Sequence, residues 1–212
     1  MTVQEKSKLS SIEINKQPKQ MLTYINQHFL FNTLNSILSL CRQNSEEARK
    51  VVLELSSYLR FNFEVTDGIV FLHEEIECIK AYLYIQKVRF DNRINIIYDI
   101  QEEVNFLIPK NSIYNLIENA IIHGILKKRN GGTLAFIVKR MSEKIVIIIK
   151  DDGVGMEEMQ IIQIFNGENQ GSISTLNSQY EDLYNAKLEV DSKLHCGTTI
   201  TIQIPIENIK YE

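Results

Sequence analysis

A histidine that accepts a phosphoryl group needs a neutral imidazole nitrogen free to attack, a rigid element to hold it, and no metal-ligand partners beside it. His28 meets that description. It lies in the run Asn26-Gln27-His28-Phe29-Leu30-Phe31-Asn32-Thr33-Leu34-Asn35, among aromatic and amide residues in a segment of helical periodicity. Asn32 follows four residues later, one helical turn on, within reach of the imidazole or an incoming phosphoryl group. Such a nucleophile does nothing without a phosphoryl donor elsewhere in the chain.

Two further sets of residues bear on that donor. Asp151-Asp152-Gly153-Val154-Gly155 follows directly on the β-branched run Ile145 to Ile149. Alternate glycines let backbone approach a ligand closely, and an acid at a strand end accepts a hydrogen bond from an exocyclic amine. Asn115, Glu118, Asn119 and His123 recur at i, i+3, i+4 and i+8, facing together within the apolar run Ile113, Leu116, Ile117, Ala120, Ile121. Polar groups on the buried side of a helix are costly unless satisfied, so a ligand or a metal is expected there, and an amide oxygen is a hard donor suited to Mg²⁺ carrying triphosphate. Taken singly, the first set reads as a tight turn capping a strand and the second as a surface polar stripe. Their joint occurrence in this order favours a site.

The elements that must position these groups change character near residue 91. Before it the periodicity is helical. Pro18 suits the first turn of a helix running to about Arg42, with Leu30, Leu34, Ile37 and Cys41 as a narrow apolar stripe and His28, Asn32, Asn35 and Ser39 opposite. Asn44-Ser45 with Glu46-Glu47 reads as a turn and N-cap. A second helix follows, striped by Val52, Leu55, Leu59 and Phe63 and ending before Thr66-Asp67-Gly68. Two such helices make an antiparallel hairpin that cannot bury both stripes alone, so a four-helix bundle formed by a homodimer is expected. A third helix spans about Leu72 to Phe90. Beyond it, strands are expected at Arg93–Ile100, Thr133–Arg140, Lys144–Lys150, Lys187–Asp191 and Thr198–Ile206, with helices at Pro109–Ile125 and about Ile173–Asn185. That order predicts an α+β fold: a sandwich with a mixed sheet and helices on one face.

Composition excludes several classes. The net charge of -4 with no dense basic stripe argues against nucleic acid as a partner. The apolar runs are too short to span a bilayer, and Met1 to Gln20 is polar throughout, unlike a signal peptide. Cys41, Cys78 and Cys196 are widely spaced and fit no zinc motif; they read as reduced thiols of a cytosolic protein and as small buried hydrophobes.

The segments together resemble the LytS-like sensor histidine kinases, whose ATP-binding domain has the Bergerat (GHKL) fold. The His28 decapeptide resembles the phosphoacceptor box of that family. Leu83-Tyr84-Ile85-Gln86-Lys87-Val88-Arg89-Phe90 resembles the lead-in to its ATPase domain. Glu118-Asn119-Ala120-Ile121-Ile122-His123-Gly124 and Asp151 to Met156 resemble its N-box and first glycine box, and Gly197-Thr198-Thr199-Ile200 its closing strand. The resemblance covers about residues 20 to 206. It implies ATP and Mg²⁺ as cofactors, His28 as phosphoacceptor assisted by Asn32, Asn119 and Asn115 as Mg²⁺ ligands, and Glu118 and His123 along the phosphate side. Asp151 would take the adenine amine, with Gly153, Gly155, Gly171 and Thr198 shaping the nucleotide pocket. Lys127, Lys128 and Arg129 are phosphate contacts on charge grounds alone, and read equally well as a solvated basic loop.

The implied organisation is a signalling linker over 1–17, a dimerising phosphoacceptor hairpin over 18–71 and an ATP-binding domain with its lead-in helix over 72–212. The implied partner is the receiver domain of a response regulator. The location would be cytoplasmic, as part of a membrane-anchored sensor whose sensing region lies upstream. Two departures stand out. Gln27 precedes the histidine where the family has proline, and Gln170-Gly171-Ser172-Ile173 keeps one glycine of an expected Gly-x-Gly-Leu. The latter loop is expected to offer backbone amides to phosphate at a helix start. An autokinase is therefore weighed against a catalytically silent dimerisation and docking module, and against a GHKL kinase acting on a partner's serine.

Overall fold

The computed structural model describes residues 27–165 and 173–209. The expected linker at 1–17, Pro18 and the Gln170-Gly171-Ser172 loop lie outside them. The chain divides between Ala48 and Arg49 into two units. To the first belongs helix α1 (Gln27–Gln43). Helix α2 (Ser45–Phe63) begins in that unit and continues into the second. The expected cap is present: Asn44 Oδ1 accepts the Glu47 backbone N–H at 3.1 Å, with Glu46 and Glu47 in the first turn.

The second unit is the expected α+β sandwich. Its elements after α2 are β1 (Ile69–Phe71), α3 (Leu72–Phe90), β2 (Ile94–Ile100), β3 (Leu107–Pro109), α4 (Ser112–Asn119), β4 (Gly132–Arg140), β5 (Lys144–Asp151), α5 (Glu158–Phe165), α6 (Ile173–Tyr184), β6 (Lys187–Lys193) and β7 (Gly197–Pro205). The sheet runs β2-β4-β5-β7-β6, with β2 parallel to β4 and every other pair antiparallel. Each predicted strand is found to within two residues.

Side chains alternate across a strand, so register decides which residues share a face. Phe136 pairs with Ile149 and Ile149 with Ile200, while Leu134 pairs with Asp151 and Asp151 with Thr198. Leu134, Phe136, Val138, Ile147, Ile149, Ile200, Ile202 and Ile204 on that face are buried, whereas Lys150, Thr199 and Gln203 on the other are not. The covered face takes its lid from α3, α4 and α6. Helix α3 is no simple connector: Ile76, Ile79, Tyr82, Leu83 and Ile85 are all buried, and so are Glu75 and Gln86.

Three local readings change. Pro109 closes the strand pair β1–β3 instead of opening a helix. The helix expected over Pro109–Ile125 starts at Ser112 and turns into a π-helical segment at Ala120–Gly124. A helix not expected from the sequence, α5, lies between β5 and α6. Of the cysteines only Cys78 is buried; Cys41 and Cys196 are exposed, the first on α1 and the second in the β6–β7 turn. Among the described residues no helix is long and apolar enough to cross a membrane.

Candidate functional site

One cavity of about 750 Å³ opens between α4 and the covered face of the sheet. Helix α4 and its π segment put Asn115, Glu118, Asn119, His123 and Gly124 on its wall, and β5 and β7 supply Asp151 and Thr198. The spacing of the helical set brings those side chains round to one side, and the π turn, a common feature of functional helices, carries His123 and Gly124 onto the same wall. Asp151 and Thr198 point inward because their register partners, Leu134 and each other, belong to the buried parity of the sheet. Leu116, Ile149, Met156, Ile164, Ile173 and Ile200 make the rest of the lining apolar.

Asp151 is the buried carboxyl of this cavity, only 5% exposed. Its Oδ1 accepts the Gly153 N–H at 2.7 Å. Burial pushes its carboxyl above the usual aspartate range, against the pull of the Gly153 and Thr198 backbone N–H groups. Gly153 stands behind the carboxylate and not on the cavity wall. A Cβ at Gly124 would lie 2.8 Å from Asp151 Oδ1, so two backbones close on one carboxylate. Gly155 adopts φ +65° and sits so close to the Lys193 carbonyl that a Cβ would meet it at 2.0 Å.

Sequence reasoning missed what holds that glycine loop. Ser192 on β6 accepts the Met156 N–H at 3.0 Å, donates to the Gly197 carbonyl at 3.0 Å, and lies 2.9 Å from Thr198 Oγ1. The His195 N–H donates to the Val154 carbonyl at 2.6 Å. A serine in a strand carries no local signal for such a role. The basic loop also resolves differently from its charge-based reading: Lys128 donates to the Asp152 carbonyl and lies 3.7 Å from its carboxylate. None of Lys127, Lys128 and Arg129 lines the cavity.

Glu118 is half-buried at the other end of the helical set, where its Oε1 accepts the Tyr114 hydroxyl at 3.1 Å. Burial raises its carboxyl above the usual range, while the Tyr114 hydroxyl and the nearby His123 oppose the shift. Among the described residues no three His, Cys, Asp or Glu side chains converge as metal ligands. The oxygens of Asn115, Glu118 and Asn119 are nonetheless the hard donors a divalent cation takes alongside phosphate, and the donor set fits Mg²⁺ in kind.

On α1, in the first unit, His28 is exposed and Asn32 is its neighbour one turn on. The Asn32 amide nitrogen lies 2.9 Å from His28 Nε2 and 3.2 Å from Nδ1, so the anticipated amide–imidazole contact is present. Gly171 lies outside the described residues.

Residues 17–94 match the family model for histidine kinase, and residues 109–208 the model for histidine kinase-, DNA gyrase B-, and HSP90-like ATPase. The chain is 34% identical over 185 residues to YwpD of Bacillus subtilis, spanning 85% of this chain and 66% of that one. It is 38% identical over 185 residues to sensor histidine kinase YpdA of Escherichia coli, 85% of this chain and 33% of the relative. To sensor protein LytS of Staphylococcus haemolyticus it is 30% identical over 201 residues, 91% of this chain and 34% of the relative. It thus spans about a third of the length of YpdA and LytS. The catalytic domain of histidine kinase ThkA superposes with a TM-score of 0.50 at 17% identity, over 65% of this chain and 97% of that domain, a likeness of fold. Helical segment and sheet domain alike are accounted for by these matches, and the chain belongs to the LytS-like family of sensor histidine kinases, its sheet domain having the Bergerat fold.

Proposed function

We propose that the chain is an ATP-dependent histidine autokinase of a two-component system, phosphorylating His28 and passing the phosphoryl group to an aspartate on a response-regulator receiver domain. The cavity is the observation that carries this reading. Its volume falls within the range of small-molecule sites, its walls are apolar enough for a flat base, and one buried carboxyl stands at its sheet end. Asp151 takes the adenine amine there, with Gly153 closing behind its carboxylate, Gly155 and Thr198 shaping the floor, and Gly171 as a further nucleotide contact. Glu118 and His123 line the phosphate side. Asn119 and Asn115 hold Mg²⁺, which when bound supplies neutralisation of the phosphate charge.

A His28 ring nitrogen forms the new bond to the γ-phosphorus as the bond from phosphorus to the bridging oxygen breaks. That electron pair leaves on ADP. The proton on the other ring nitrogen passes to solvent, to which His28 is open. Asn32 orients the ring. Phosphoryl transfer asks chiefly for positioning and charge neutralisation, so the nucleotide domain must reach the histidine helix during the cycle.

In this reading residues 1–17 are a signalling linker, 18–71 a dimerising hairpin and 72–212 the nucleotide domain, together the cytoplasmic part of a membrane-anchored sensor. Exposed Phe31, Leu34 and Leu38 on α1 and Val52 and Phe63 on α2 support the dimer. A second reading, a silent docking module, draws on the single glycine in Gln170-Gly171-Ser172. Incubation with γ-labelled ATP and Mg²⁺ separates them. Acid-labile label that disappears in His28→Ala supports the autokinase, whereas nucleotide binding without label supports the docking module. Acid-stable label on an added partner would point to a serine kinase.

A further inference from the structure

Three tyrosines meet in the core beneath the cavity. Tyr58 on α2, Tyr82 on α3 and Tyr114 on α4 are 0%, 0% and 4% exposed. Their rings pack with centroids 5.1 to 6.3 Å apart, Tyr82 edge-on to Tyr114. Phenylalanine would fill this space without burying a hydroxyl, and a buried hydroxyl costs about 1–3 kcal/mol unless it is bonded. The hydroxyls are bonded, and in a line. Tyr58 Oη and Tyr114 Oη are 3.0 Å apart, and Tyr114 donates to Glu118 Oε1 at 3.1 Å. Each hydroxyl has one proton. Since Tyr114 spends its own on the carboxylate, Tyr58 must donate to Tyr114, and both bonds point toward Glu118. Burial holds both phenols protonated, Tyr58 being pushed up to about 12 and Tyr114 higher still. The line runs from the helix that follows the His28 helix in sequence to a carboxylate on the cavity wall, instead of closing on a backbone carbonyl.

We propose that Tyr114 and Tyr58 are positioning residues that fix the Glu118 carboxylate at the phosphate end of the cavity and tie its orientation to helix α2. The proposal rests on the autokinase reading above. A carboxylate held from behind presents its free oxygen in one direction, and groups that orient such a side chain typically matter by about 10- to 100-fold in rate or metal affinity. Because Tyr58 is on α2, a rotation of that helix would break the Tyr58–Tyr114 bond and loosen Glu118 without moving any residue of the cavity itself.

The test uses the 212-residue chain with γ-labelled ATP and Mg²⁺ under single-turnover conditions, and nucleotide affinity is measured separately by displacement of a fluorescent analogue. Tyr114→Phe keeps the ring and its packing. It should slow His28 labelling about 10-fold while leaving nucleotide affinity within about 2-fold, with a lowered melting temperature because the buried Tyr58 hydroxyl loses its partner. Tyr58→Phe should slow labelling in the same sense but less. Combining Tyr114→Phe with Glu118→Gln should be no slower than Glu118→Gln alone, because both act through one carboxylate. A merely structural tyrosine would instead lower nucleotide affinity along with the labelling rate and add to Glu118→Gln. Normal labelling of Tyr114→Phe, or additivity in the double variant, overturns the proposal while the autokinase reading stands. Absence of label on the unaltered chain overturns that reading and the positioning role with it.

Discussion

Gly153 has no room for a side chain: a Cβ there would lie 2.4 Å from the Gly124 carbonyl carbon and 2.6 Å from Asp151 Oδ1. Gly153→Ala must therefore push apart the two backbone segments that enclose the carboxylate, and the expected result is lost nucleotide binding with lowered stability. Asp151→Asn makes the complementary change, keeping the shape and removing the charge. A hydrogen bond to a charged acceptor contributes about 1.5–3 kcal/mol, so Asp151→Asn should weaken ATP binding by about 10- to 100-fold with little change in melting temperature. Displacement of a fluorescent nucleotide measures both variants, and unaltered affinity in Asp151→Asn would remove Asp151 from the base-binding role. The residue types were legible here only in company: alone the acid and its alternate glycines read as a turn capping a strand, and the polar set on α4 made them a site. Ser192 was not legible, because its three partners come from the glycine loop and the start of β7.

Helix α4 carries the polar wall of the cavity, and its start is set from outside. Glu75 on α3, fully buried, accepts the backbone N–H groups of Asn111, Ile113 and Tyr114 at 2.8, 2.7 and 2.9 Å. It caps the helix across 36 residues of sequence. This is why the reading that began the helix at Pro109 missed the boundary: the cap is tertiary, and the turn residue Asn111 at φ +63° shows no regular period. Burial pushes the Glu75 carboxyl up to about 7 from an ordinary 4.5, against those three N–H groups. The folded state therefore binds the proton more tightly than the unfolded chain. Its contribution to stability is full below about pH 4.5 and is lost as pH rises through about 7, a change of roughly 3 kcal/mol. Denaturant unfolding of the native chain and Glu75→Gln across pH 5 to 8 checks this. The native chain should lose stability relative to the variant as pH rises, and a constant difference would refute it.

At the scale of the whole molecule, the exposed apolar residues of α1 set the expectation for assembly. Phe31 is 64% and Leu38 68% exposed, far more than isolated solvent-facing residues of a monomeric helix need be. Sedimentation should give a dimer for the native chain and a monomer for Leu38→Glu, and a native monomer would count against the four-helix bundle. What the sequence by itself determined was local. It singled out His28 and its amide neighbour, the polar spacing on α4, the acid–glycine turn and the alternation of five strands, all of which follow from periods of 3.6 and 2 that need no knowledge of the partner elements. Only the tertiary structure decided that Asp151 and Thr198 open into the same cavity as Asn115, Glu118 and Asn119, since that depends on strand register and on the helix laid over that face. It alone also lined up the Tyr58 and Tyr114 hydroxyls behind Glu118 and placed the Glu75 carboxylate at the head of α4. Those contacts join residues 38 and 56 positions apart, and no pattern within a single element encodes which side chains will meet when elements pack.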